Sequence, residues 1–170
     1  MSIYDSSIPQ MARTLRQAGV WLDKAQAYAE QKRFDPEVLL SSRLAPDQWS
    51  LRQQIQAICL GSQRLGSLLA DAETSNPDIL DESLPELRVR VDRAVEQLQQ
   101  LRPEQFQGAE ERVIPLPFLP GKGLKATDFV FEFALPNFYF HATTAYAILR
   151  HNGVDVGKTD FIGDLSLRDL

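Results

Sequence analysis

Two histidines and one cysteine are the side chains of this sequence best suited to acid–base or nucleophilic chemistry near neutral pH. His141 stands in Asn137-Phe138-Tyr139-Phe140-His141-Ala142, among aromatic residues and beside an apolar helical stripe. Asn137 is one turn earlier on the same face, so the two side chains can share a ligand or a water. A histidine in such a place reads first as a hydrogen-bonded, partly buried residue and second as a ligand. Its aromatic neighbours disfavour the charged ring, which predicts a neutral imidazole bonded to a polar group of the second or third helix, or to a trapped water. His151 belongs to a helix end, where its charge suits the negative pole. Cys59 lies one residue from an apolar stripe position with nothing basic beside it in sequence, and reads as a small core residue. The segment Val156-Gly157-Lys158-Thr159 looks like the end of a phosphate-binding loop, but the leading glycine that loop requires falls at Asn152. It also follows a helix instead of a strand, so it reads as a helix end and a turn. Carboxylates are plentiful, mostly at solvent-facing positions, and no Ser/His/Asp set can be nominated from spacing.

The elements that must position these residues are amphipathic helices. Ile8, Met11, Leu15, Ala18, Leu22, Ala25 and Ala29 recur in steps of three and four, a single helical stripe. Leu51, Ile55, Ile58, Ser62, Leu65, Leu69 and Ala72 form a second, opening after Pro46-Asp47, with Asn76-Pro77 beyond its end. The third runs Leu84, Leu87, Val91, Ala94, Leu98 and Leu101; it opens on Ser83 with Glu86 three residues later, a capping box, and Pro103 stops it. Phe131, Leu135, Phe138, Ala142, Ala145 and Leu149 make the fourth, capped by Thr127 or Asp128 and ended by Asn152-Gly153. Pro136 predicts a kink or break near residues 134–137. Predicted helices are therefore 5–32, 47–72, 84–101 and 128–152. Between the third and fourth the period changes: Val113 to Pro117 and Leu124 to Ala126 flank Pro120-Gly121-Lys122-Gly123, a small edge hairpin or an extended flap. Leu39, Leu40 and Leu44 are placed over one end of the bundle, and Phe161, Ile162, Leu165 and Leu167 pack the C-terminal segment onto its surface. Four such stripes bury one another most economically as an all-α, antiparallel four-helix bundle in a single domain, residues 1–170.

Composition narrows the partners. The chain of 170 residues is 44% hydrophobic and 24% charged, ordinary globular values, and its net charge of -5 offers no basic footprint for nucleic acid. No apolar run reaches the ~20 residues of a membrane span, and residues 1–10 lack the pattern of a secretory leader. The single cysteine suits a reducing compartment, and the location expected is cytoplasmic.

The run from Leu135 to Val154, Leu-Pro-Asn-Phe-Tyr-Phe-His-Ala-Thr-Thr-Ala-Tyr-Ala-Ile-Leu-Arg-His-Asn-Gly-Val, continued by Gly157-Lys158-Thr159-Asp160-Phe161-Ile162-Gly163, resembles the bacterial domain-of-unknown-function family numbered 1993, a relative of the DinB/YfiT-like superfamily. The helix spacing is similar over nearly the whole chain. The resemblance implies a four-helix bundle, often dimeric, and in many members a divalent metal held by three histidines: one on the second helix and a pair four apart on the last, before a Leu-Arg. Matching Leu149-Arg150 to that pair places His141 at its second position and Asn137 at its first; matching the second helix on Trp49-Ser50 places its ligand near Gln56 or Ala57. One histidine of three remains, and amides are poor replacements, so no metal and no cofactor are expected.

Three functions follow. The first is a small-ligand binding or interaction bundle keeping the cleft, with His141, Asn137, Tyr146, Gln53 and Gln56 as its ligand-binding residues and the hairpin as a cover. The second is a DinB-like metal-dependent hydrolase or thiol transferase, the third a structural oligomer. A homodimer is expected, with Trp21 or Trp49 in the contact patch.

Overall fold

Helix α1 (Ile3–Lys32) starts where Ser2 and Asp5 satisfy each other's backbone donors: the Asp5 amide donates to Ser2 Oγ (3.1 Å) and the Ser2 amide to Asp5 Oδ2 (3.2 Å). The structure, a computed structural model, describes residues 2–72, 80–116 and 118–169; Asn76-Pro77 and Pro117 lie outside the described residues. A short α2 (Glu37–Ser41) follows, then α3 (Leu51–Leu69) and α4 (Leu84–Gln100). The hairpin of β1 (Val113–Pro115) and β2 (Gly123–Lys125) is antiparallel, with Ile114 opposite Leu124. One turn, α5 (Ala126–Asp128), and a π-helical segment (Phe129–Ala134) lead into α6 (Leu135–His151), and α7 (Lys158–Ile162) closes the chain.

Side-chain contacts fix the direction of each long helix. Tyr4 donates to the carbonyl of Leu101 and Asp23 pairs with Arg88, so α1 and α4 are antiparallel. Asn152, after α6, meets Ser42, whose carbonyl accepts from the Leu51 amide at the start of α3, while Phe133, before α6, shares a cavity with Leu65 and Leu68 near the end of α3, so α3 and α6 are antiparallel too. The two pairs lie side by side: Arg52 donates to the Glu82 carbonyl and Gly66 touches Leu98, which makes α3 and α4 run the same way. Tyr139 donates to Gln10 Oε1 (2.7 Å), setting α6 along α1 in the same sense.

The four stripes meet in one hydrophobic core, where each fully buried Leu or Ile contributes about 1.5–3 kcal/mol by leaving water. Helix ends follow local chemistry. The Ser83 amide donates to Glu86 Oε2 (2.8 Å), the expected capping box. At the end of α6 Gly153 has φ +90°, and a Cβ there would meet Tyr28 Oη at 2.6 Å, so glycine is required twice over.

Several expectations need correction. The second long helix begins at Leu51, not residue 47, because Ser50 and Gln53 form a second capping box, the Ser50 amide donating to Gln53 Oε1 (3.0 Å). It ends at Leu69, which leaves Ala72 exposed beyond it. Lys125, not Thr127 or Asp128, is the residue preceding the last helical run. Pro136 does not break the chain: as proline it offers no N–H, and the widened π turn just before it carries the helix past. That widening shifts the register by about one residue, so Phe131 is 52% exposed and Val130 enters the core in its place. Leu44, Ile162, Leu165 and Leu167 are exposed, whereas Leu39, Leu40, Val154 and Val156 are buried.

Candidate functional site

The outward edge of α3, the hairpin and the first turns of the π–α6 run border a partly open cavity of about 360 Å³. Its wall is mostly apolar: Leu60, Leu65 and Leu68 from α3, Leu116 and Phe118 from the hairpin side, Phe129 and Phe133 from the π segment. Phe118 rests on Phe133 with ring centroids 5.3 Å apart, and Phe133 in turn on Phe129 at 5.5 Å, so aromatic contacts hold the hairpin against the helices. Gly61 also lines the wall, and a Cβ built there meets nothing within 4 Å.

His141 forms one end. Its ring stacks on Trp49 at 5.3 Å and 14°, and its Nδ1 lies 2.7 Å from Gln54 Oε1. Gln54 is oriented by its own amide nitrogen, which donates to the Trp49 carbonyl (3.1 Å), so its oxygen faces the imidazole. Nδ1 therefore carries the proton and donates, and the neutral ring keeps Nε2 as an acceptor with no partner among the described residues. Burial lowers the His141 pKa below its ordinary value, which favours that neutral form.

Of the other residues predicted from sequence, Asn137 and Gln56 line the same cavity. Gln56 donates to the Leu80 carbonyl (2.8 Å) and to Glu82 Oε2 (2.7 Å), while its own buried oxygen has no partner among the described residues. Glu82 in turn takes two bonds from Arg90 Nε, at 3.0 and 2.7 Å, so an ion pair stands behind the Gln56 wall. Gln53 is not part of this cavity. It lines a smaller polar hollow beside it, with Arg52 and Asp81, and its oxygen is engaged in capping α3. Tyr146 lies elsewhere: five residues beyond His141 is a rotation of about 140° on a helix. Its ring meets Trp21 and Phe161 edge-on, and its hydroxyl donates to the Val156 carbonyl (3.3 Å).

Gln54 is the residue that sequence reading missed. The signal was present, because Gln54 sits three after Leu51 and four before Ile58, a polar side chain on the apolar face. Buried there at 1% exposure, it needs a partner, and His141 is that partner. Cys59 is buried and its thiol is pushed up to about 12 by desolvation, consistent with a core residue. The look-alike of a phosphate loop is the entry to α7, where Gly157 donates to Asp160 Oδ2 (2.7 Å) and Asp160 pairs with Lys24 (2.8 Å).

A family profile, "Domain of unknown function (DUF1993)", matches residues 3–162. The chain belongs to the DUF1993 family. A solved structure from Shewanella denitrificans, described as a DinB family member protein, is 38% identical and superposes with a TM-score of 0.94, over 99% of this chain and 96% of that one. No curated protein matches. The DUF1993 chain thus has a DinB-type helical fold, and no helix among its described residues is long and apolar enough to cross a membrane.

The three-histidine centre implied by the DinB resemblance does not fit the donors at this site. Opposite His141 stands Gln54, not Gln56 or Ala57, and Gln54 occupies the Nδ1 side of the ring with its oxygen. Asn137 fills the remaining position. Among the described residues no three His, Cys, Asp or Glu side chains come together in a group able to hold a metal ion. Neutral amides with one imidazole form a weak set for zinc or nickel.

Proposed function

We propose that this DUF1993 protein is a small-ligand binding bundle whose site is the cavity between α3, α6 and the hairpin, without a three-histidine metal centre. One observation carries the reading: a partly open, mostly apolar space of about 360 Å³, within the range of small-molecule pockets, ends on a neutral imidazole whose Nε2 is an open acceptor. Apolar walls supply affinity through burial, and the few polar groups, His141 and Asn137, supply orientation. The hairpin acts as the cover, held by the Phe118–Phe133 contact.

Anilinonaphthalene sulfonate, whose fluorescence rises on entering an apolar site, tests the location of binding. Wild-type protein is expected to bind one dye molecule, and Gly61→Leu, which projects a side chain into open space on the cavity wall, to abolish that signal with native helicity retained. Dye binding that is unchanged in Gly61→Leu would place the site elsewhere and overturn the proposal.

A further inference from the structure

Among the sixteen described residues of the cavity wall only Arg64 is of a charged type, and no acidic side chain is among them. Arg64 has neither a hydrogen bond nor an ion pair among the described residues, unlike Arg52, Arg88 and Arg112, each of which is paired with an acid. It lies ten residues beyond Gln54 on α3, roughly 15 Å along the axis at the helical rise per residue. The two ends of the cavity are therefore chemically different. At one, an exposed guanidinium offers five donors in a planar fork suited to a carboxylate. At the other, His141 Nε2 can only accept, because Gln54 holds the ring proton on Nδ1. Between them stand leucine and phenylalanine side chains with no charge to neutralise a second ionic group.

We infer that the occupant is an extended, mostly apolar monocarboxylate with a hydrogen-bond donor, a hydroxyl or an N–H, at its far end; this rests on the cavity being a ligand site. Arg64 receives the carboxylate at one end and His141 Nε2 receives the donor at the other. A cationic amine would meet Arg64 as a like charge. A phosphate ester would bring two negative charges to a single exposed arginine. Asn137, at the rim beside His141, can serve either a donor or an acceptor and does not discriminate.

Isothermal titration calorimetry with three probes separates the parts of this inference. ω-Hydroxydecanoate carries both groups, decanoate lacks the terminal donor, and decanediol lacks the charge. The expected order of affinity on wild type is ω-hydroxydecanoate above decanoate and decanediol. Because Arg64 is exposed, Arg64→Gln is expected to weaken ω-hydroxydecanoate by only about fivefold, the range of a solvated ion pair, and to leave decanediol unchanged. Added salt should weaken the carboxylates in wild type and have no such effect in Arg64→Gln. Decanediol binding as tightly as ω-hydroxydecanoate, with Arg64→Gln indistinguishable from wild type, would overturn the assignment of a carboxylate while leaving the cavity a ligand site. Decanoate equal to ω-hydroxydecanoate would overturn the donor at His141. Failure of all three probes together with failure of the anilinonaphthalene dye would remove the ligand site itself, and this inference with it.

Discussion

His141 is held by three things at once: the Gln54 oxygen at 2.7 Å, the Trp49 ring stacked on it, and partial burial that keeps it uncharged. Removing the imidazole leaves the buried Gln54 acceptor without its donor and opens a small void. His141→Ala is therefore expected to cost about 1–3 kcal/mol in urea unfolding, and His141→Gln, which can still donate from its amide, to recover part of it. Equal losses for the two variants would show that packing alone matters. The same ring sets a pH dependence. Its pKa is lowered on folding, so between the folded value and the ordinary value of about 6.5 the unfolded chain binds more protons. The stability contributed by the neutral ring is fully present above that ordinary value and is lost as the pH falls from it to the lowered folded value. Wild-type urea midpoints should drop between about pH 7.5 and about pH 5 more than those of His141→Gln, and parallel curves would contradict the assignment. The position and neutrality of His141 were legible in the sequence because Phe138, Tyr139 and Phe140 surround it. Its partner is less legible, because a glutamine on an apolar helical face does not by itself say which buried group it bonds.

Helix α3 shows how one element serves two faces. Leu51, Ile55, Ile58 and Leu69 face the core, while Ala57, Leu60, Gly61 and Arg64 border the cavity. Gly61 is an interior helical position with open space where a Cβ would stand, so it costs helix stability without sparing a clash. Gly61→Ala is expected to raise stability by up to about 1 kcal/mol, read as a higher urea midpoint at unchanged slope. A destabilised Gly61→Ala would mean that the cavity wall is closed at this point. The four stripes were readable because period 3.6 persists through long runs of α1, α3 and α4. The entry to α6 was not, for a specific reason: the π segment adds a fraction of a turn before Pro136, so Phe131, in register on paper, turns outward and Val130 turns in. Likewise Tyr146, expected beside His141, is sent by helical rotation to the Trp21–Phe161 cluster.

The whole molecule sets the site on a frame of two antiparallel helix pairs, α1 with α4 and α3 with α6, joined so that α3 and α4 run in one direction. The cavity lies under the hairpin, at the edge of the shared core, where Leu65, Leu116 and Phe129 belong to both. Trp21 is completely buried and donates to the Asp160 carbonyl (2.9 Å), which removes it from any surface patch; Trp49 alone of the two tryptophans is exposed, at the cavity's His141 end. This arrangement also decides what a chelator should do. A bundle whose stability includes metal binding loses that free energy when the ion is withdrawn, by an amount that grows with affinity. Here the ring nitrogen of His141 that meets Gln54 is already bonded, the position four residues before it is an asparagine, and the core is closed by apolar contacts on every long helix. Thermal melts of untagged protein with and without a chelator are therefore expected to share one midpoint, in wild type and in His141→Ala alike, with the variant lower in both. A chelator-dependent fall in the wild-type midpoint, absent from His141→Ala, would assign His141 to a metal after all and would make Gln54 and Asn137 its unusual companions.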